Sequence, residues 1–181
     1  AEMTEIQEKT IPVMMAGYDV IAKAPTGTGK TCAFGIPVAE HILPENKYPQ
    51  AVIMAPTREL AQQIAKELEE LTYFMPEVQV ACVYGGANME KQARRLAEGC
   101  QIVVATPGRL MDHYKHHSID LAHVTQVVLD EADEMLNMGF YKDVRHIIEL
   151  MKARKSLSMF SATISREVMD IGWMYQNNAE E

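Results

Sequence analysis

The chain has 181 residues, 48% of them hydrophobic and 23% charged, and a formal net charge of −8. These values fit one soluble globular domain with a substantial core. No apolar run approaches the roughly 18 residues of a membrane span, and the acidic balance excludes a broadly basic nucleic-acid binder while leaving room for a local basic site.

A short helix is predicted near 4–15, in a polar, charged N-terminus that does not read as a secretory signal. A strand at 18–23 follows. It runs into Ala24-Pro25-Thr26-Gly27-Thr28-Gly29-Lys30-Thr31 and then an apolar helix over about 30–43. This is the G-x-x-x-x-G-K-[ST] phosphate cradle with Ala24 at its first position. Gly27 and Gly29 let backbone N–H groups close on phosphate oxygens, and the helix presents its positive end to the same anion. Lys30 is expected to reach the β- and γ-phosphates of ATP, and the Thr31 hydroxyl to ligate Mg²⁺.

The next strands each end in small, hydroxyl-bearing, Gly or Arg residues. Strand 51–55 runs into Pro56-Thr57-Arg58-Glu59-Leu60 and a helix over 57–74. Strand 78–84 meets Gly85-Gly86 and a helix over 88–98, and strand 101–105 meets Thr106-Pro107-Gly108-Arg109 and a helix over 108–117. Thr57 and Thr106 can cap helices whose free N–H groups face a phosphate, while Arg58 and Arg109 add charge. Such an edge would hold a sugar–phosphate backbone and ignore base identity. It shows no aromatic stacking platform.

Strand 125–130 closes on Asp130-Glu131-Ala132-Asp133, a carboxylate cluster opening a helix over 132–153. Carboxyl ends of parallel strands are where such sheets bind ligands. Asp130 is therefore the expected partner of the metal held by Thr31, and Glu131 the group that orients an attacking water. A last strand at 156–160 leads to Ser161-Ala162-Thr163 and a helix over 165–176. Continuous apolar strands alternating with helices imply an α/β fold, with a mainly parallel sheet covered on both faces. Three widely spaced cysteines, Cys32, Cys82 and Cys100, read as buried thiols in a reducing, cytoplasmic setting. His113, His116 and His117 read as solvated residues of a helix C-terminus, and the 13 methionines as core filler.

With these motifs in order, the chain resembles the N-terminal RecA-like, ATP-binding domain of DEAD-box RNA helicases. The resemblance implies a three-layer P-loop NTPase domain over 1–181, with a Q-motif segment at about 1–17 in which Gln7 reads the adenine edge. It makes Ala24–Thr31 motif I, Pro56-Thr57-Arg58 part of motif Ia, Gly85-Gly86 the GG element, and Thr106–Arg109 motif Ib. It assigns Asp130 to magnesium and Glu131 to the catalytic water, and gives Asp133, Ser161 and Thr163 the coupling of ATP state to RNA. It implies RNA as a partner, bound through its backbone. It also implies a second RecA-like domain, with an arginine finger, outside 1–181; alone, 1–181 is expected to bind nucleotide weakly and hydrolyse little. The family's Q motif carries an aromatic residue well upstream of Gln7 that this chain does not include. A nucleotide-dependent RNA adaptor without a full ATPase cycle is the alternative, but an adaptor has no need of Glu131.

Overall fold

The structure is a computed structural model that describes residues 3–24 and 29–177. Pro25, Thr26, Gly27 and Thr28 of the phosphate loop lie outside the described residues. The elements in chain order are α1 (Glu5–Met15), β1 (Val20–Lys23), α2 (Lys30–Glu40), β2 (Ala51–Met54), α3 (Arg58–Leu71), β3 (Val80–Val83), α4 (Met89–Ala97), β4 (Ile102–Ala105), α5 (Pro107–Lys115), β5 (Gln126–Asp130), α6 (Ala132–Asn137), α7 (Tyr141–Leu150), β6 (Ser156–Ser161) and α8 (Arg166–Tyr175).

Local chemistry explains most boundaries. Thr57, Asn88 and Ser165 each accept a hydrogen bond from the backbone N–H three residues on, which fixes the starts of α3, α4 and α8. Thr4 and Gln7 form a reciprocal capping box on α1. The helix expected over 132–153 is two helices. α6 stops at Asn137, Gly139 takes φ 93°, and α7 starts at Tyr141. Glycine relieves the left-handed strain just past a helix end, and the chain turns there.

The six strands form one sheet in the order β1-β6-β5-β2-β4-β3, with every neighbouring pair parallel. Successive side chains alternate between its faces. Ala51 and Ile53 of β2, Ile102 and Val104 of β4 and Phe160 of β6 join one core with α1, α2 and α3. Val52 and Met54, Val103 and Ala105, and Leu157 and Met159 join the other, with residues from α4 to α8. Each face thus has its own helical layer, which is the three-layer architecture the strand pattern predicted.

The strand order also sorts the motifs. β1, β6 and β5 lie side by side and carry motif I, Ser161-Ala162-Thr163 and the carboxylate cluster. β2, β4 and β3 form the other half and carry Pro56-Thr57-Arg58, Thr106–Arg109 and Gly85-Gly86. Because all strands run the same way, both groups reach the same carboxyl edge. The β5–β2 pairing joins them.

Candidate active site

In the first half of that edge, Lys30 on the first turn of α2 and Asp130 at the end of β5 form a buried ion pair. Lys30 Nζ lies 2.9 Å from Asp130 Oδ1 and 3.8 Å from Glu131 Oε2, with the Lys30 and Asp130 side chains 6% and 1% exposed. Asp130 Oδ1 also accepts from the Glu131 N–H at 2.9 Å, whereas the buried Oδ2 has no partner among the described residues. Burial pushes the Asp130 carboxyl above the ordinary aspartate range, and the Lys30 ammonium opposes that rise. Glu131 caps α6 in the left-handed region, φ 50° and ψ 53°. A non-glycine residue there carries strain of about 1–2 kcal/mol, yet both carboxylates face the same Lys30 ammonium.

Gly29 caps α2 at φ 88°. A Cβ there would stand 2.9 Å from the Thr4 side chain, so glycine is needed for both conformation and space. The Gln7 amide already makes two contacts. Its Nε2 donates to the Gly29 carbonyl at 3.1 Å, and its Oε1 accepts from the Thr4 N–H at 3.1 Å. Helix α1 is thereby clasped to the phosphate loop. Ala24 and Thr31 are buried beside it.

Asp133 and the end of β6 form a second cluster. Asp133 Oδ2 accepts from the Thr163 hydroxyl at 2.8 Å and its N–H at 3.1 Å. The Ser161 hydroxyl accepts from the Asp133 N–H at 3.1 Å and donates to the Thr163 carbonyl. Partial burial would raise the Asp133 carboxyl. The hydrogen bonds from Thr163, with the Glu134 N–H, outweigh that and hold it below the ordinary range.

In the second half of the edge, the expected turns converge on Gly85-Gly86. Arg58 lies over the Tyr84 ring, 4.8 Å from its centroid, so an aromatic that sequence reasoning had not counted supports this cation. A Cβ on Gly86 would stand 3.5 Å from Arg58 Nη1. The Thr57 hydroxyl caps α3, while Thr106 precedes Pro107 with no side-chain cap on α5. Gly85 and Gly108 face open space, with no atom of the described residues within 4 Å of where a Cβ would be. Arg109 is more enclosed than Arg58. It is not a solvated charge: its side chain is 12% exposed, and Nη1 donates to Ala87 O and Gln92 Oε1, both at 3.0 Å.

Gln92 is the residue that sequence reasoning missed. It is buried on α4 between Lys91 and Arg94, and its Nε2 donates to the Tyr84 carbonyl at 3.0 Å. Its Oε1 receives both Arg109 and His113, with His113 Nε2 at 3.0 Å. His113 is therefore a correction as well. It is fully buried, and burial, aided by the Arg109 charge, lowers its pKa and keeps the ring neutral; His116 and His117 are exposed as expected. The thiols are also corrected: only Cys100 is buried, while Cys32 and Cys82 are half-buried. The methionine expectation holds in part, with Met54, Met135 and Met159 buried and Met3, Met15, Met138 and Met174 exposed. Asp19, unremarked in the sequence, is buried and accepts from the Leu157 and Asn177 N–H groups at 2.9 Å, tying β1 to β6 and to the chain after α8.

Comparison with known proteins agrees with this arrangement. A family model described as DEAD/DEAH box helicase matches residues 4–171. The ATP-dependent RNA helicase CshA of Limosilactobacillus reuteri is 48% identical over 179 residues, covering 99% of this chain and 36% of that protein. The ATP-dependent RNA helicase DeaD of Escherichia coli (strain K12) is 43% identical over 176 residues, covering 97% of this chain and 28% of that protein. The crystal structure of a hypothetical ATP-dependent RNA helicase from Sulfolobus tokodaii superposes with a TM-score of 0.92 at 40% identity, over 100% of this chain and 52% of that one. The chain thus spans about a third of the length of the curated relatives it matches. With its parallel sheet, its Lys30–Asp130 pair and its motifs at one edge, this chain belongs to the DEAD/DEAH box helicase family.

Proposed function

We propose that this chain is the ATP-binding half of an ATP-dependent RNA helicase, in which RNA-stimulated ATP hydrolysis drives local duplex unwinding. The observation that carries the reading is the buried Lys30–Asp130 pair, with one carboxylate oxygen unpartnered among the described residues, on the same sheet edge as the Gly85-Gly86 turn. Lys30 is placed to hold phosphate oxygens and, without nucleotide, it neutralises Asp130. The unpartnered Asp130 Oδ2 and the Thr31 hydroxyl are hard oxygen donors of the kind Mg²⁺ takes. When bound, Mg²⁺ supplies charge neutralisation of the β- and γ-phosphates. Glu131, at the start of α6 and 3.8 Å from Lys30 Nζ, orients the attacking water. Asp133 reports the state of that site to β6 through Thr163.

The other half of the edge holds RNA by its backbone. Gly85 and Gly108 have no side chain and no neighbour that forbids one, so their bareness serves something outside the chain, such as a closely approaching phosphate. The open start of α5 and the exposed Arg58 supply donors and charge. A second RecA-like domain closes on this edge with the remaining cation, an element worth about 10³–10⁵ in rate in such reactions. Among the described residues no helix is long and apolar enough to cross a membrane. The unpaired thiols fit a reducing cytoplasm.

Competition binding tests the substrate class. An RNA oligonucleotide should displace labelled RNA from the nucleotide-bound full-length protein far better than DNA of the same sequence. Equal displacement would remove RNA from the reading.

A further inference from the structure

At the opposite, amino-terminal edge of the sheet lies a cavity of about 410 Å³ between the ends of α1 and α2 and the starts of β5 and β6. Its volume falls in the range that takes small ligands, about 300–1,000 Å³. The cavity is separate from the site described above. Gln126 in its wall starts β5 and Asp130 ends it, which places them about 13 Å apart along the strand.

The wall has three kinds of surface. Met14, Leu43 and Tyr18 make it apolar. Tyr48 and His123 stack, with ring centroids 4.1 Å apart and planes at 26°, and form a flat aromatic panel. On the wall strand β6, Ser158 is 1% exposed, and its hydroxyl has no hydrogen-bond partner among the described residues. Neighbouring polar groups are already engaged. The Gln50 amide is bonded to Leu43 and Asn46, and the Gln126 amide nitrogen donates to Val38 O. A buried hydroxyl left over in a roomy cavity calls for a partner.

Charge narrows the ligand further. Exposed Lys155 contributes to the wall, and among the described residues no Asp or Glu does. Asp120 stands 3.7 Å from His123 Nε2 but outside the wall. On a chain of net charge −8, such a lining selects anions. We propose that this cavity is a second small-molecule site that binds a planar aromatic anion, its ring against the Tyr48–His123 panel, its charge near Lys155 and a polar edge atom on Ser158.

Calorimetry and amide chemical-shift mapping on this chain, with 6-hydroxy-2-naphthoate as the probe, test the proposal. Naphthoate without the hydroxyl and naphthol without the carboxylate are the comparisons. Hydroxynaphthoate should bind tighter than naphthoate by about two- to tenfold, the range of one hydrogen bond. It should bind tighter than naphthol by about two- to fivefold, the range of one exposed ion pair. Ser158→Ala should abolish the first advantage and Lys155→Glu the second, each leaving the other intact. Shifts should map to Tyr18, Tyr48 and Ser158, and Mg-ADP should not displace the probe. Absence of binding, equal binding of all three probes, displacement by Mg-ADP, or variants that change neither ratio would overturn the proposal.

Discussion

Replacing Lys30 with Met removes the ammonium and keeps most of the side chain's volume. Asp130 then keeps its burial and loses the cation 2.9 Å away. Breaking a buried pair from one side costs about 3–5 kcal/mol, because the remaining charge is uncompensated. Its pH dependence has a definite sign. Burial already raises the Asp130 pKa, and Lys30 is the main influence holding it down, so the variant's Asp130 rises further. A carboxyl with a raised folded-state pKa contributes stability that is fully present below its unfolded value, about 4, and lost as pH rises through the folded value. Lys30→Met should therefore show its full loss at alkaline pH and recover as pH falls toward the unfolded value, about 4. Adding Asp130→Asn should restore stability at pH 8, because no buried charge remains. Urea unfolding reads this directly. With a slope of about 2 kcal/mol per molar, the midpoint should fall by about 1.5–2.5 M. An unchanged midpoint at pH 8, a fall that does not shrink at lower pH, or no rescue by Asp130→Asn would refute the reasoning.

Three further outcomes follow from the same geometry. Gln92→Leu leaves the Tyr84 carbonyl and the buried His113 Nε2 without partners and frees Arg109; it should cost about 2–4 kcal/mol in chemical denaturation, and a loss under about 1 would mean the hub is dispensable. Asp133→Asn removes a carboxylate whose pKa is held low by Thr163. Such a group stabilises the fold above its unfolded pKa and loses that effect as pH falls through the folded one, so variant and parent should converge in acid-unfolding curves below about pH 4; curves that stay apart there would contradict the assignment. Glu131→Gln should lower the hydrolysis rate by about 10²–10⁴ with nucleotide affinity retained, the loss expected for a group that handles the water's proton; steady-state turnover at saturating ATP checks it, and a rate near that of the parent would remove Glu131 from the chemistry.

What the sequence made legible was governed by local pattern. The apolar strands, the two-faced burial and the motif at each strand end can be read because period and punctuation act over a few residues. The α6–α7 break was also written locally, as Gly139 after a helix-compatible run, and a reading by apolar content alone passed over it. Thr4-x-x-Gln7 likewise spells a capping box, which competes with an adenine role for the same amide. Gln92 and His113 are different in kind. Each looks like a polar residue on a solvated face, and only the approach of α4 and α5 beside the Gly85-Gly86 turn buries them against each other and against Arg109. No spacing rule encodes that pairing, and none encodes the strand order that places the Lys30 and Asp130 motifs in one half of the sheet and the Pro56-Thr57-Arg58, Gly85-Gly86 and Thr106–Arg109 turns in the other.

The central claim is that these two halves act together, so that RNA at one drives hydrolysis at the other. The direct measurement is the steady-state ATPase rate of the full-length protein containing this chain, with and without single-stranded RNA, beside the same assay on residues 1–181 alone. The account predicts strong RNA stimulation in the full-length protein, its loss in Glu131→Gln, and little turnover from the isolated chain under either condition. A full-length rate indifferent to RNA, or full RNA-stimulated turnover from 1–181 alone, would contradict it.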